Sequence, residues 1–334
     1  MTLNVAVIGT GSFAREHIRA FRQVPEARVV YVAGSDLARA QSLAMLAPGA
    51  RASDDIEAVL DDPSVDAVDV CNATPDHARW TIAAGHAGKH VHVDKPAALS
   101  IPSFDEMVEA VEGSGRILMV GQTARFQPVS TEVQHACATG EIGIPRLLHV
   151  SWLTGHVWPN GWRAWQFDIT KSGGHPVHNG IHTVDLAVWL MQSRPIEVFA
   201  RNFPSFAAEM PMPDSFQMQL RFENGSLAML EHCYALRQPG ATMRRIMLAG
   251  TEGTLMHDSA DDTGLSSPGH PTPALSAEGA LTIQLRHWVA AMRGDESLIV
   301  TTAEARTALA TAIAAQRSLV AGRPMAIEHD GVAS

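Results

Sequence analysis

The sequence predicts an α/β Rossmann domain with a doubly wound parallel sheet, followed by an α+β domain with a large, open and mostly antiparallel sheet. Residues 4–8 form an apolar run, typical of a strand covered on both faces, and the run stops at a glycine turn before a helix. Strands and helices then alternate to about residue 122, which favours a parallel sheet. Beyond that point, strands joined by short turns predominate, as in an antiparallel sheet.

The opening turn has the pattern Gly-x-Gly-x-x-Ala, formed by Gly9, Gly11 and Ala14. The first glycine permits a tight turn, the second lets the backbone approach a pyrophosphate, and the alanine lets helix and strand pack closely. The helix that begins at Ser12 and Phe13 presents free N–H groups, and its dipole favours an anion there. The turn therefore predicts that the first domain binds a dinucleotide.

The remaining elements of the first half follow in strand–helix order. The predicted strands are 28–33, 66–71, 90–93 and 116–121, and the predicted helices are 12–23, 36–46, 54–60, 77–87 and 103–112. This alternation sets the limits of the first domain at residues 1–122.

The second half of the chain has a different order of predicted elements. A helix is predicted at 128–138, and the predicted strands are 146–153, 196–203, 215–223, 226–235, 244–249 and 254–257. Asn224-Gly225 predicts a two-residue hairpin turn. Residues 258–279 predict a mobile loop. Helices follow at 281–293 and from Thr301, whose capping box with Glu304 marks the start of the last helix.

Composition excludes several classes of protein. The chain has 334 residues and a formal net charge of −10, which makes a nucleic-acid partner unexpected. Its three cysteines are widely separated and suit a reducing compartment. No run approaches the roughly 20 apolar residues that span a bilayer. We therefore expect a cytoplasmic protein without a membrane or nucleic-acid partner.

Two polar motifs follow predicted strands at the edge where parallel sheets bind ligands. In the first, Thr74 and Pro75 precede His77, and the Thr74 hydroxyl can cap the next helix and meet a cofactor; a plain strand-to-helix turn is the alternative. In the second, Lys95 stands between Asp94 and a proline, as a catalytic group would, although a surface lysine is the alternative. The proline holds Lys95 extended.

Aromatic and basic residues concentrate between 158 and 165. Trp162 and Trp165 offer faces that stack on sugar C–H surfaces, and Arg163 can bind hydroxyl or carboxylate groups. Core packing is the alternative for each tryptophan.

These motifs together resemble the Gfo/Idh/MocA oxidoreductase family, whose relatives include glucose-fructose oxidoreductase and inositol dehydrogenase. The resemblance runs nearly end to end and leaves out only the 258–279 loop. The matching motifs are the 9–14 turn, Thr74-Pro75-x-His77, Asp94-Lys95-Pro96, Val120-Gly121-Gln122, Arg125-Phe126-x-Pro128, Gly173-Gly174, Gly180-x-His182-x-x-Asp185, Gln316-Arg317-Ser318 and Gly322-Arg323-Pro324.

The resemblance implies an NAD(H)- or NADP(H)-binding domain at 1–122 and a domain for substrate binding and oligomerisation at 123–334. Its sheet would join a homodimer or homotetramer. Cofactor contacts are expected from Gly9, Gly11, Ser12, Phe13, Ser35, Arg39, Thr74, Pro75, His77, Asp94, Lys95 and Gln122. Substrate contacts are expected from Lys95, Arg125, Trp162, Arg163, Trp165, His178, Asn179 and His182.

The implied reaction transfers a hydride between nicotinamide and a secondary alcohol of a sugar, inositol, related polyol or sugar acid. Lys95 would lie near the substrate and the nicotinamide, and His182 would be the general acid/base. An amine and an imidazole would thus act on one alcohol oxygen. No metal is expected.

The sequence departs from the family at two positions. Gly34 occupies the place of the acid that usually binds the ribose hydroxyls, so Ser35 and Arg39 could hold a 2′-phosphate, while Asp36 could still reach the ribose. This favours NADP slightly. His178 replaces the family's aspartate four residues before His182. Three roles for His178 stay open: it relays protons, it contacts the substrate, or it only fills the space.

Three alternatives remain open. The first is a glycosidase that oxidises a sugar transiently, eliminates a group and reduces the product, with no net change in nicotinamide. The second is a metal site, because His175, His178, His182 and Asp185 have helical spacing. The third is a dinucleotide-binding protein without catalysis.

Overall fold

Six parallel strands form the first sheet, in the order β3-β2-β1-β4-β5-β6. The strands are β1 Leu3–Ile8, β2 Ala27–Ala33, β3 Arg51–Ser53, β4 Ala67–Val70, β5 His90–Asp94 and β6 Leu118–Gly121. The strand order reverses between β1 and β4, which is where doubly wound sheets bind ligands. The predicted parallel sheet is thus confirmed, and β3 was missed because Arg51–Ser53 is a short polar strand.

The computed structural model describes residues 2–154, 164–203, 210–236, 242–259, 265–266 and 279–329. The chain divides into two compact units. The first comprises Met1–Phe126 and Glu278–Ala305, and the second comprises Gln127–Ala277 and Arg306–Ser334. The first unit therefore includes a late segment that the predicted division after residue 122 assigned to the second domain.

Helices cover the first sheet. They are α1 Ser12–Phe21, α2 Leu37–Ala44, α3 Ile56–Asp61, α4 His77–His86, α5 Ile101–Glu112 and α9 Ala280–Met292. The late helix α9 joins this unit because Trp288 is fully buried and its ring lies 6.4 Å from that of Phe21 on α1. The capping box is confirmed: the Glu304 N–H donates to Thr301 Oγ1 at 3.2 Å, and the Thr301 N–H donates to Glu304 Oε2 at 3.4 Å.

Eight strands form the sheet of the second unit in the described part of the chain, in the order β13-β12-β11-β7-β10-β9-β8-β14. They are β7 Pro145–Thr154, β8 Pro195–Asn202, β9 Ser215–Phe222, β10 Leu227–Cys233, β11 Thr242–Gly250, β12 Thr254–Asp258, β13 Leu265–Ser266 and β14 Met325–Ala326. The pair β7–β10 is parallel and the other neighbours are antiparallel, which confirms the mostly antiparallel sheet. The helices α6 Pro128–Ala138, α7 Ile169–Ser172, α8 Ile181–Leu190 and α10 Thr302–Ala321 complete the order.

The predicted hairpin between β9 and β10 exists, but its loop has three residues, 223–225. Phe222 N–H donates to the Ser226 carbonyl at 3.0 Å and closes the loop. Gly225 has φ +80°, so it supplies the left-handed position that follows a type I turn in three-residue hairpins. The predicted two-residue turn is therefore wrong by one residue.

None of the helices in the described residues combines the length and apolarity that crossing a bilayer requires. The expected cytoplasmic compartment stays a prediction.

Candidate active site

The strand ends of the first unit are aligned by their pairing register. Ile8 on β1 pairs with Val70 on β4, Val70 pairs with Val93 on β5, and Val93 pairs with Val120 on β6. The motifs that follow these residues therefore lie along one edge of the sheet. This places the opening turn, the Thr74 motif, the Lys95 motif and Gln122 in one region of the first unit.

The opening turn is built for close backbone approach. Gly9 has φ +146°, and a Cβ there would lie 2.8 Å from the Cys71 carbonyl carbon. Beside Gly11, by contrast, a Cβ would meet nothing within 4 Å, and no side chain of the described residues caps helix α1. The N–H groups at Ser12 and Phe13 thus begin an uncapped helix of 10 residues, which suits a pyrophosphate.

Unsatisfied amide groups mark the same edge. Gln122 is 1% exposed, and neither its side-chain nitrogen nor its oxygen has a hydrogen-bond partner among the described residues. Asn72 Oδ1 is also buried without a partner there. Buried polar atoms without partners cost free energy, so these side chains fit a bound group that offers both donors and acceptors. A nicotinamide dinucleotide is such a group.

His77 holds the two motif loops together. Its Nδ1 lies 2.9 Å from the Pro96 carbonyl oxygen, and its Nε2 lies 3.0 Å from the Asn72 carbonyl oxygen. Burial lowers the pKa of His77, while Asp94 and the two carbonyl oxygens oppose this by favouring the protonated ring. The structure thus gives His77 backbone partners, and its predicted cofactor contact stays a prediction. Thr74 and Pro75 form the short turn before it, with Thr74 buried.

Lys95 follows β5 directly. Burial lowers the pKa of Lys95, and the Asp94 carboxylate opposes this by favouring the ammonium form. Asp94 Oδ1 also accepts the Lys95 backbone N–H at 2.7 Å, which fixes the start of the loop. An amine with a lowered pKa can donate a strong hydrogen bond to a developing alkoxide and can exchange its proton.

The end of β2 places Gly34 beside the side chain of Thr10. A Cβ at Gly34 would lie 2.8 Å from Thr10 Cγ2, so a larger residue does not fit there without a shift. Asp36 instead caps α2 by accepting the Arg39 N–H at 3.1 Å, and its other oxygen pairs with Arg39 Nε at 3.2 Å. Ser35 precedes this pair. The Arg39 guanidinium therefore already has a carboxylate as its ion-pair partner.

A buried polar network in the first unit was not predicted from the sequence. Asp69 Oδ2 lies 2.8 Å from His17 Nδ1, and Asp69 Oδ1 lies 2.7 Å from His92 Nδ1. His92 Nε2 lies 2.6 Å from the Gln284 amide nitrogen. These distances are those of hydrogen bonds. The available signal was polar residues at inward positions of apolar strands, namely Asp69 in β4 and His92 in β5.

Arg125 has partners that the sequence did not indicate. Its guanidinium is fully buried, pairs with Glu304 Oε2 at 2.8 Å and donates to the Ile299 carbonyl at 2.9 Å. These bonds anchor the segment Glu278–Ala305 within the first unit. They give Arg125 a structural role, and its predicted substrate contact stays a prediction.

In the second unit, a π-helical turn at Pro176–Gly180 leads into α8. Such turns within helices are frequent at functional sites. His178 meets Trp165 edge-to-face at 5.2 Å, and His182 stacks on Trp152 at 5.2 Å. Asn179 donates its amide N–H to His175 Nδ1 at 2.8 Å.

His178 thus lies in the π-helical turn, and His182 lies in the first turn of α8. Trp162 and Arg163 lie outside the described residues. Among the described residues, the sole cluster of three groups with metal-ligand spacing is His17, Asp69 and His92. The alternative metal site at His175, His178, His182 and Asp185 stays a prediction.

His232 and Tyr234 extend this region and were not singled out from the sequence. His232 Nε2 lies 2.6 Å from Thr183 Oγ1 on α8, and its Nδ1 lies 2.9 Å from the Tyr234 hydroxyl. Burial lowers the pKa of His232 to about 3, with a smaller contribution from nearby His175. His232 is therefore neutral at physiological pH and adds no charge.

Two family models match the chain. The oxidoreductase family with an NAD-binding Rossmann fold, Gfo/Idh/MocA, matches residues 3–122, and the Gfo/Idh/MocA C-terminal domain matches residues 130–256. The chain belongs to the Gfo/Idh/MocA oxidoreductase family. The family resemblance, the fold class and the assignment as an oxidoreductase are thereby confirmed.

Several named enzymes are similar to this chain. Inositol 2-dehydrogenase 2 of Saccharopolyspora erythraea is 31% identical over 69% of this chain and 66% of its own. The scyllo-inositol 2-dehydrogenase (NAD(+)) of Bacillus subtilis (strain 168) is 28% identical over 97% of this chain and 96% of its own. Levoglucosan dehydrogenase, solved with NADH and levoglucosan, shares the fold with a TM-score of 0.87, 20% identity and coverage of 99% and 100%. The predicted lean to NADP has no support here.

Proposed function

We propose that this protein transfers a hydride between NAD(H) and a secondary alcohol or ketone of a sugar, inositol, related polyol or sugar acid. The observation that carries the proposal is the edge of the first sheet, where an uncapped glycine turn, the unsatisfied Gln122 amide and Lys95 stand together. The relatives named as inositol dehydrogenases support this substrate class.

The turn at Gly11 and Ser12 would hold the pyrophosphate, and Gln122 would bind the cofactor through its amide. When bound, the nicotinamide supplies the hydride acceptor. In the oxidation direction, His182 accepts the hydroxyl proton of the substrate, and Lys95 donates a hydrogen bond to the same oxygen. His178 is proposed to relay the proton from His182, and replacing His178 by Asp tests this by restoring the family's usual group.

The test is a screen of sugars, inositols and sugar acids with NAD and NADP. A dehydrogenase produces reduced nicotinamide in proportion to the substrate oxidised. Cleavage of glycosides without net nicotinamide change would instead identify the alternative glycosidase. Cofactor binding without turnover of any substrate would identify the non-catalytic alternative.

We infer NAD(H) as the cofactor from the Asp36–Arg39 pair. A 2′-phosphate that approaches Arg39 would meet the Asp36 carboxylate beside it, and two anions at one site repel. Titration of the protein with both cofactors decides the point, because a higher affinity for NADP overturns this inference.

Replacing Asp94 by Asn moves the alkaline limb of the kcat/KM profile to lower pH in the oxidation direction. Lys95 must be protonated to donate to the substrate oxygen, so activity falls as pH rises through its pKa. Asp94 favours the ammonium form, and its removal lowers that pKa further. Initial rates from pH 6 to 10 measure the limb. Glu106→Gln, at an exposed position of α5, is the control and leaves the limb in place.

We also propose a homodimer or homotetramer through the outer face of the second sheet. Met229 and Met256 on this face are 48% and 58% exposed, and His149 lies beside Met229 in register. Replacing Met229 by Glu lowers the mass measured by light scattering, because a buried interface disfavours the added charge. Met45→Glu, at an 80% exposed position of the first unit, leaves the mass unchanged. A monomeric wild-type protein contradicts the proposal.

A further inference from the structure

The pairing register of the second sheet sets four side chains in one row. Arg244 on β11 pairs with Trp152 on β7, Trp152 pairs with His232 on β10, and His232 pairs with Phe216 on β9. Residues that pair directly across neighbouring strands share a face of the sheet. Helix α8 lies on this face, because Thr183 bonds to His232 and His182 stacks on Trp152. Arg244 thus lies on the face of the sheet that packs against α8, and it pairs with Trp152, on which His182 stacks.

The Arg244 guanidinium has no balancing anion among the described residues. Its Cζ lies 4.0 Å from the centre of the Trp152 ring, and its buried Nε has no hydrogen-bond partner in the part of the chain that the structure describes. In the described stretches of the chain it forms no ion pair. Burial lowers the pKa of Arg244, and Tyr234 opposes this. A cation that is partly removed from water without a partner costs free energy unless a ligand supplies the opposite charge.

The adjacent arginine shows the contrast. Arg245 follows Arg244 on β11, so its side chain points to the opposite face of the sheet. It is exposed and pairs with Asp258. Of the two neighbouring arginines, the one on the face that contacts α8 is the one without a carboxylate partner among the described residues.

We propose that Arg244 binds a carboxylate of the substrate, so that the substrate is a sugar acid, such as a uronate or aldonate, in preference to a neutral polyol. The proposal rests on the proposed function of His182 and narrows its substrate class. A single guanidinium balances one carboxylate and binds it with two parallel N–H donors. A phosphate dianion needs more positive charge, and His232 beside Trp152 is neutral.

The experiment measures binding by calorimetry to the whole protein saturated with NADH. The probes are D-glucuronate, D-galacturonate, D-gluconate and D-galactonate, each compared with its neutral counterpart: glucose, galactose, glucitol or galactitol. We expect at least one acid to bind roughly 10- to 100-fold more tightly than its counterpart, and this preference to weaken with salt.

Arg244→Met removes the preference for the acid and changes the affinity for the neutral probe by less than about threefold. Arg244→Lys keeps part of the preference, because the charge remains but the paired donors are lost. Arg245→Met is the matched control and retains the full preference. If Arg244→Met fails to fold, the Arg244→Lys variant carries the comparison.

Two results overturn the proposal. In one, none of the four acids binds more tightly than its neutral counterpart. In the other, Arg244→Met weakens acid and neutral probes equally, which is the behaviour of a residue that only packs against Trp152. A separate measurement of hydride transfer tests the proposed function. If an acid binds in an Arg244-dependent manner but no substrate is turned over, this proposal is supported and the proposed function is contradicted. If only neutral sugars are turned over, the proposed function is supported and this proposal is contradicted.

Discussion

Replacing Lys95 by methionine lowers kcat by roughly 10²- to 10⁴-fold and leaves NAD affinity within about threefold of wild type. The reason is that the ammonium donates its hydrogen bond to negative charge that develops only as the hydroxyl proton leaves, so the loss falls on the reaction and not on ground-state binding. Steady-state rates give kcat, and titration with NADH measures cofactor affinity.

His182→Asn lowers kcat by a similar factor, because a proton acceptor is lost.

Lys171→Met is the matched control for this experiment. Lys171 is exposed on α7 and pairs with Asp168 at 3.2 Å, so its removal changes neither rate nor affinity. Full activity in Lys95→Met contradicts the proposed mechanism. Equal losses of turnover and cofactor affinity would show that Lys95 serves mainly to hold the cofactor.

Much of the fold was predictable because parallel strands and the helices between them are local in sequence. In the first sheet, β1, β2 and β6 are mostly apolar runs, and β4 and β5 carry valine at alternate positions. A helix follows each strand from β1 to β5 along the chain. Helix α9 was predicted as a helix, yet its place in the first unit was not. An amphipathic pattern indicates that one face is buried, but it does not indicate which distant segment covers that face.

The candidate site was likewise predictable from the sequence only in part. The Gly9, Thr74 and Lys95 motifs were predictable because all follow parallel strands, whose ends share one edge. The burial of Arg125 against Glu304 was not, because 179 residues separate the two. The row that contains Arg244 was also hidden, since it depends on the pairing of β7 with both β10 and β11, which no local pattern specifies.

Replacing Asp69 by alanine lowers the free energy of unfolding by about 3–5 kcal/mol at pH 7. The carboxylate is fully buried and accepts hydrogen bonds from His17 and His92, so its removal leaves two buried imidazoles without an acceptor and opens a cavity. Urea unfolding of the wild type and the variant measures the difference. Glu57→Ala removes an exposed ion pair with Arg79 and costs less than about 1 kcal/mol.

The charge on His17 makes the difference in free energy of unfolding between the wild type and an Asp69 variant depend on pH. Burial disfavours the imidazolium, but Asp69 outweighs it, and the pKa of His17 lies above its usual 6.5. A raised pKa contributes stability below pH 6.5, which is lost as pH rises through the folded-state value. Burial alone raises the pKa of Asp69, yet the imidazoles hold it below 3.8, so its contribution is lost only in stronger acid.

The difference between the wild type and Asp69→Asn is therefore largest between about pH 4 and 6.5 and shrinks as pH rises above that range. Unfolding curves from pH 5 to 9 measure it. The asparagine keeps the shape of the side chain and removes its charge, so it separates the electrostatic contribution from the cavity left by alanine. A difference that stays constant across this range would show that His17 is neutral in the folded protein and that the network is held by uncharged hydrogen bonds to Asp69.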